Sequence, residues 1–140
     1  MMPKPRAKAS PTKVLTKLRA ICLALPEAYE EPAWVGTRFM IRKRNFAHLV
    51  SIEGSWPPAY ARAAGGDGLV LTFRASDMLR DVLRDAGPQY FVADWGTKWG
   101  TKVVGLKLDG LIDWREVETL LVESYRLLAP RDLAAKLGAT

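Results

Sequence analysis

Apolar positions recur along this chain in two rhythms, and the switches between them predict the elements. Val14, Leu15, Leu18, Ile21, Cys22 and Leu25 fall at helical spacing, so a first helix is predicted behind Ser10 or Thr12, with Pro26 as its stop. Residues 26–35 carry no period and read as irregular. The spacing then drops to two. Phe39 and Ile41 alternate against Arg38, Met40 and Arg42, and Phe46, His48, Val50 and Ile52 against Ala47, Leu49 and Ser51, which predicts a hairpin turning at Lys43-Arg44-Asn45. From Glu53 to Gly68 the pattern breaks, and a connection of this length is expected to be functional or mobile. Its glycines read as turn residues, since no Gly-Lys-Ser/Thr follows them.

Leu69, Leu71 and Phe73 predict a third strand. Ser76 caps a second helix whose apolar side is Met78, Leu79, Val82, Leu83 and Ala86, stopped by Gly87-Pro88. Gln89 to Val92 fits a short strand, and Thr101 to Leu108 a last one, with Val104, Leu106 and Leu108 on one side and Val103, Gly105 and Lys107 on the other. Asp113-Trp114-Arg115-Glu116 is a capping box in its Asp variant, stapled by Ile112 and Val117, and the helix it starts runs to Leu128 before Pro130 begins a short final turn.

Charge changes this picture at one place. The net charge is +6, and residues 1–19 hold six basic residues and no acid, so they account for all of it; residues 20–140 hold fifteen of each sign. Residues 1–11 are expected to be a flexible basic tail, and residues 12–140 a single domain. At 140 residues one ordinary core suffices, burying roughly 68–70% of the extended-chain surface. The apolar run Ile21–Leu25 is far too short to span a membrane, so no membrane association is expected. A single cysteine, Cys22, permits no internal disulfide and reads as a small buried hydrophobe, which points to the cytoplasm.

Candidate chemistry is sparse. His48 is the only histidine, so no multi-histidine metal site can be assembled, and no nucleophile-elbow motif supports a triad. On a strand His48 reads as structural. No catalytic residue, metal site or cofactor is expected. Two features remain: the cluster Arg38, Arg42, Lys43 and Arg44, with no acid among them, and the segment Trp95-Gly96-Thr97-Lys98-Trp99-Gly100-Thr101-Lys102. The cluster also reads as a solvated turn that guards a sheet edge, and the tryptophans as core.

A leading helix ended by Leu-Pro-Glu, the hairpin Arg-Phe-Met-Ile-Arg-Lys-Arg-Asn-Phe-Ala-His-Leu, a Leu-Thr-Phe strand feeding a helix, the doubled Trp-Gly-Thr-Lys with Leu-Asp-Gly after it, and Glu123-Ser124-Tyr125-Arg126-Leu127 before Ala-Pro-Arg together resemble the MmcQ/YjbR family over about residues 13–137. The resemblance implies an α+β fold, an antiparallel β-sheet with helices packed on it as in bacterial frataxin (CyaY), and DNA binding, the role in which members are commonly described. Many relatives show His-Leu-Asn-Lys before the tryptophan, whereas Ala93 to Lys98 stands here and only Lys98 and Trp99 match. A frataxin-like iron role would need acids on the first helix, and residues 1–26 contain none.

The resulting expectation is a non-catalytic, monomeric DNA-binding protein. Arg38, Arg42, Lys43 and Arg44, with Lys98 and Lys102, would contact phosphates, while Trp95 or Trp99 stacks on bases. Lys102 and Lys107 differ by an odd number and point to opposite faces of a regular strand. The alternative is an adaptor for a small molecule or protein, with the Trp-rich segment and the 53–68 loop lining a pocket.

Overall fold

The computed structural model describes residues 11–93, 95 and 101–137. The chain runs α1 (Pro11–Cys22), β1 (Tyr29–Pro32), β2 (Thr37–Ile41), β3 (Arg44–Ile52), α2 (Pro58–Ala64), β4 (Gly68–Ala75), α3 (Asp77–Arg84), β5 (Tyr90–Ala93), β6 (Lys102–Lys107), α4 (Trp114–Leu128) and α5 (Arg131–Ala135). The strands form one sheet in the order β1-β2-β3-β4-β6-β5, with every neighbouring pair antiparallel. The fold is α+β.

One face of the sheet carries the main core. Phe39, Ile41, Ala47, Leu49, Leu71, Phe73, Val104 and Leu106 pack there against Val14, Leu18 and Cys22 of α1, Leu83 of α3, Leu121, Tyr125 and Leu128 of α4, and Leu133 of α5. Each such large side chain contributes about 1.5–3 kcal/mol by leaving water. Burial also pushes the Cys22 thiol well above its usual range, so it stays protonated. On the other face Val50, Ile52, Val70 and Phe91 form a smaller cluster with Ala64 of α2. Gly105 is required in that layer, because a Cβ there would lie 2.0 Å from the Phe91 ring.

Strict alternation along β3 predicts Phe46 and His48 on one face, and the structure separates them. Phe39 of β2 pairs with Ala47 and Met40 with Asn45, so Phe46 is an extra residue, a β-bulge. The bulge turns Phe46 into the main core, edge-on to Tyr125 with ring centroids 5.6 Å apart, and leaves His48, Val50 and Ile52 on the opposite side. The β3–β4 ladder also stops at Ala47↔Phe73. Beyond that rung the buried Ser124 hydroxyl of α4 stands between the strands, donating to the Phe46 carbonyl at 2.6 Å and accepting from the Arg74 N–H at 2.8 Å. One side chain thereby replaces a missing backbone bond.

Other elements shift in place or kind. The hairpin turns one residue earlier than expected, with Ile41 paired to Arg44 and both Arg42 (φ 49°) and Lys43 (φ 65°) left-handed, the geometry of a type I′ turn built without glycine. The stretch 26–35 is not wholly irregular, since its middle, Tyr29–Pro32, forms the edge strand β1. Residues 53–68 are not simply a loop: they contain α2, which starts on Pro58 and ends on a left-handed Gly65. The predicted caps are in place, with Ser76 accepting from the Leu79 N–H and Asp113 from those of Arg115 and Glu116. Glu116 itself accepts from the Tyr90 hydroxyl. Met78 and Val82, expected on the apolar side of α3, are exposed. Among the described residues no helix is long and apolar enough to cross a membrane.

Ser124→Ala leaves a buried carbonyl and a buried N–H without a partner. It should destabilise the fold by about 2–3 kcal/mol, read as a lower urea midpoint at unchanged slope. Lys43→Gly acts in the opposite direction. It relieves about 1–2 kcal/mol of left-handed strain against about 0.4–1 kcal/mol of added unfolded-state entropy, so the same urea titration should show a raised midpoint.

Candidate functional site

Where β3 and β4 part at the bulge, the face opposite the main core holds a cavity of about 150 Å³ lined by Asn45, His48, Tyr60, Thr72, Phe73, Arg74, Trp95 and Val103. Pairing explains the assembly: Arg38 lies opposite His48, His48 opposite Thr72, and Arg74 opposite Val103, so these residues share one face. Tyr60 reaches the cavity from α2, and Trp95 follows β5. The lining is mainly polar, unlike the sealed core on the other side.

His48 organises the cavity wall. Its Nε2 lies 2.6 Å from the Val35 carbonyl, which can only accept, so Nε2 carries the hydrogen. Nδ1 is then the acceptor for the Tyr60 hydroxyl at 3.1 Å. Burial holds the imidazole below its ordinary pKa; the bond to Val35 opposes this, and the Arg38 charge adds to the lowering. Burial raises Tyr60, partly offset by the charge of Arg74, and burial lowers Arg74, partly offset by Tyr60. Neutral His48 thus ties both the 33–36 loop and α2 to the sheet. Gly36 completes the tie: its φ is +75°, and a Cβ there would lie 1.9 Å from the Leu49 carbonyl oxygen.

These two tethered segments carry an aromatic rim. Trp34, in the loop held by His48, is 84% exposed and meets Trp56 edge-on with centroids 5.3 Å apart. Trp56 is itself half-exposed and sits just before α2. Tyr60 meets His48 at 5.8 Å and Trp95 at 5.2 Å, both edge-on. The Trp34–Trp56 pair thus leaves much of its aromatic surface in water and adds little to the packed core.

The residues named from sequence divide among several places. Trp95 lines the cavity. Arg38 stands on the same face, ion-paired to Glu31, and its Nε is buried without a hydrogen-bond partner among the described residues. Arg42 leaves the tip for Glu27, 3.1 Å away in the α1–β1 connection. Lys43 is exposed at the tip. Arg44 reaches the Leu128 carbonyl at 3.4 Å, at the C-terminus of α4 where a cation is favoured. Lys102 opens β6 opposite Ala75, on the other face from the cavity-lining Val103. Lys98 and Trp99 lie outside the described residues. The tip and the cavity nevertheless occupy one end of the sheet, because Asn45 is the second residue after the turn.

Sequence reasoning passed over Trp34, Asn45, Thr72 and Arg74, and its alternative reading named the 53–68 loop as a pocket wall without singling out Trp56 or Tyr60 within it. A signal existed for Tyr60: Pro57-Pro58 followed by an alanine-rich stretch and Gly65 marks the start and stop of a short helix. Among the described residues no group of three or more His, Cys, Asp or Glu is placed to hold a metal ion.

Comparison with known proteins places the chain. A family model described as YjbR matches residues 23–127. A crystal structure of the Deinococcus radiodurans protein DR2400, described as a DUF419 domain, superposes with a TM-score of 0.61 at 22% identity, over 94% of this chain and 92% of that one. At that identity the likeness is one of fold. No curated protein matches.

The His48 geometry sets a pH dependence. Its folded pKa lies below the ordinary value of 6.5, so the unfolded chain takes up a proton that the folded chain refuses. Stability from this group is full above the unfolded value and is lost as pH falls through the folded one. Urea titrations between pH 7.5 and 5 should show this decline in the wild type and a flatter profile in His48→Gln; Arg38, Tyr60 and Arg74 are the charged or titratable groups facing the ring.

Proposed function

The chain belongs to the YjbR family, and from the aromatic rim on the α2 side of its sheet we propose that it is a non-catalytic nucleic-acid-binding domain that takes a single strand across that face. One observation carries the reading: Trp34, Trp56, Tyr60 and Trp95 lie on the side that also presents Arg38 and Arg74. Stacking a base on an aromatic ring contributes about 1–3 kcal/mol and is open only to bases that are already unstacked, which favours a single strand over a duplex.

The hairpin keeps a supporting part. The Arg42–Glu27 pair is half-exposed on both sides, and such a pair is worth only about 0–1 kcal/mol. It can be exchanged for a phosphate at little cost. Lys43 stands at the same tip, and the six cations of residues 1–19 add long-range attraction. A small-molecule adaptor is the second reading, favoured by the polar, Trp95-lined cavity. It differs in requiring no phosphate chain and hence little salt dependence.

Anisotropy titrations of a labelled mixed-sequence single strand at several salt concentrations test the proposal. Affinity should fall linearly with log salt, by a slope of about 0.7 per phosphate engaged. Trp34→Ala and Trp56→Ala should each weaken binding by about 5- to 100-fold, the equivalent of one lost stacking contact. Removing residues 1–10 should flatten the salt slope and leave the tryptophan effect in place. If that truncation abolishes binding while both tryptophan variants bind as wild type, the contact is the basic tail alone and the proposal is wrong.

A further inference from the structure

We infer that the cavity beneath Trp95 is a pocket for one pyrimidine ring of the bound strand, admitted singly and held by hydrogen bonds along its edge. The inference rests on the single-strand reading above and adds what the face selects.

Size comes first. A volume of about 150 Å³ is the size that, in an engineered core of another protein, holds one benzene molecule. One six-membered ring fills it, and the second ring of a purine would stand outside the lining in its open mouth. The walls suit a ring: Trp95 and Tyr60 stand edge-on to each other at 5.2 Å, making a corner of aromatic surface.

Lining chemistry narrows the occupant further. An apolar ring is disfavoured, because it would cover the polar groups of Asn45 and Thr72 and return no hydrogen bond. The two nitrogens of His48 are already committed, to Val35 and to Tyr60, so His48 shapes the pocket without reading it. The Tyr60 hydroxyl hydrogen is committed as well, which leaves its oxygen as an acceptor. Arg74 is donor-only, while the Asn45 amide and the Thr72 hydroxyl offer both functions. Every pyrimidine carries an O2 carbonyl that matches a guanidinium donor, and an N3 and 4-substituent edge that an amide or hydroxyl can meet in either sense. A free oxyanion matches less well: among the described residues one cation lines the cavity, and His48 is held neutral.

The pocket also lies where a strand crossing the face would deliver a base. The exposed Trp34–Trp56 pair is reached through the His48 tether on one side, and the hairpin tip flanks Asn45 on the other. A backbone held by the tip and stacked on the rim can turn one base inward.

The test uses the full chain at one salt concentration, with homopyrimidine and homopurine single strands of equal length. Homopyrimidine should bind about 10-fold tighter or more. Thr72→Val, which keeps shape and removes the hydroxyl, and Asn45→Ala should each bring homopyrimidine down towards the homopurine affinity while leaving homopurine unchanged. Far-ultraviolet circular dichroism and the urea midpoint confirm that each variant is folded. If both strands bind equally and both folded variants bind them as wild type, the pocket is not a base site while the single-strand reading survives. If neither strand binds beyond what residues 1–10 alone provide, that reading fails, and the inference with it.

Discussion

The Ser124 hydroxyl sits where a ladder bond between β3 and β4 would otherwise be, and the shape of the functional face follows from that substitution. Its donation to Phe46 and acceptance from Arg74 satisfy both groups. Without it each would cost about 1–3 kcal/mol as a buried unsatisfied group. With it, the sheet tolerates a bulge and a local parting of its two central strands. The bulge moves Phe46 into the main core and sets Asn45 and His48 on the other face; the parting supplies the space between Asn45, Thr72 and Arg74. A single helix residue on one side of the sheet therefore determines the cavity on the other.

The two faces divide the molecule's work. On the helical face, side chains from α1, α3, α4 and α5 close over the sheet and leave Leu18, Ile41, Leu121 and Tyr125 with no measurable exposure. On the other, α2 covers one end, and a buried neutral histidine fixes what borders the rest. His48 bonds the 33–36 loop through one nitrogen and α2 through the other, so the segments bearing Trp34 and Trp56 are both tethered to it. Under the single-strand proposal, a rim held from beneath in this way would lower the entropic cost of binding.

Elements governed by local rules were legible in the sequence. Ser76 and Asp113 announce their helices by capping chemistry, and β4 and β6 by alternation between turn residues. What depends on distant partners was not. The β1 strand holds Glu30 and Glu31 side by side, and its pairing makes sense only once Arg19 meets Glu30 and Arg38 meets Glu31. A period of two cannot reveal a bulge, since Phe46 and His48 look like neighbours on one face until β2 fixes the register. Helical spacing places Met78 and Val82 on the apolar side of α3 but cannot say whether anything covers them. The cavity is harder still: Asn45 of β3 and Thr72 and Arg74 of β4 are ordinary residues, joined by strand pairing alone. Trp95 and Arg38 were legible because their residue types are informative on their own.

Charge and aromatic surface carry different weights in a binding face of this kind. From residue 20 onward the chain holds equal numbers of acids and bases, and Arg38 and Arg42 each face a carboxylate while Arg44 faces a helix C-terminus. Phosphates would have to compete for those arginines, so each contact gains only the difference between a phosphate and the partner it displaces. The tryptophan rim has no such competitor among the described residues: Trp34 touches Trp56 by its edge and leaves most of its surface in water. Under the single-strand proposal, stacking on the aromatic rim would supply selectivity for unpaired bases, and the cationic residues 1–19 would raise the rate of encounter without deciding what is held. The basic segment and the sheet face are thus separable contributions, one screened by salt and one largely insensitive to it.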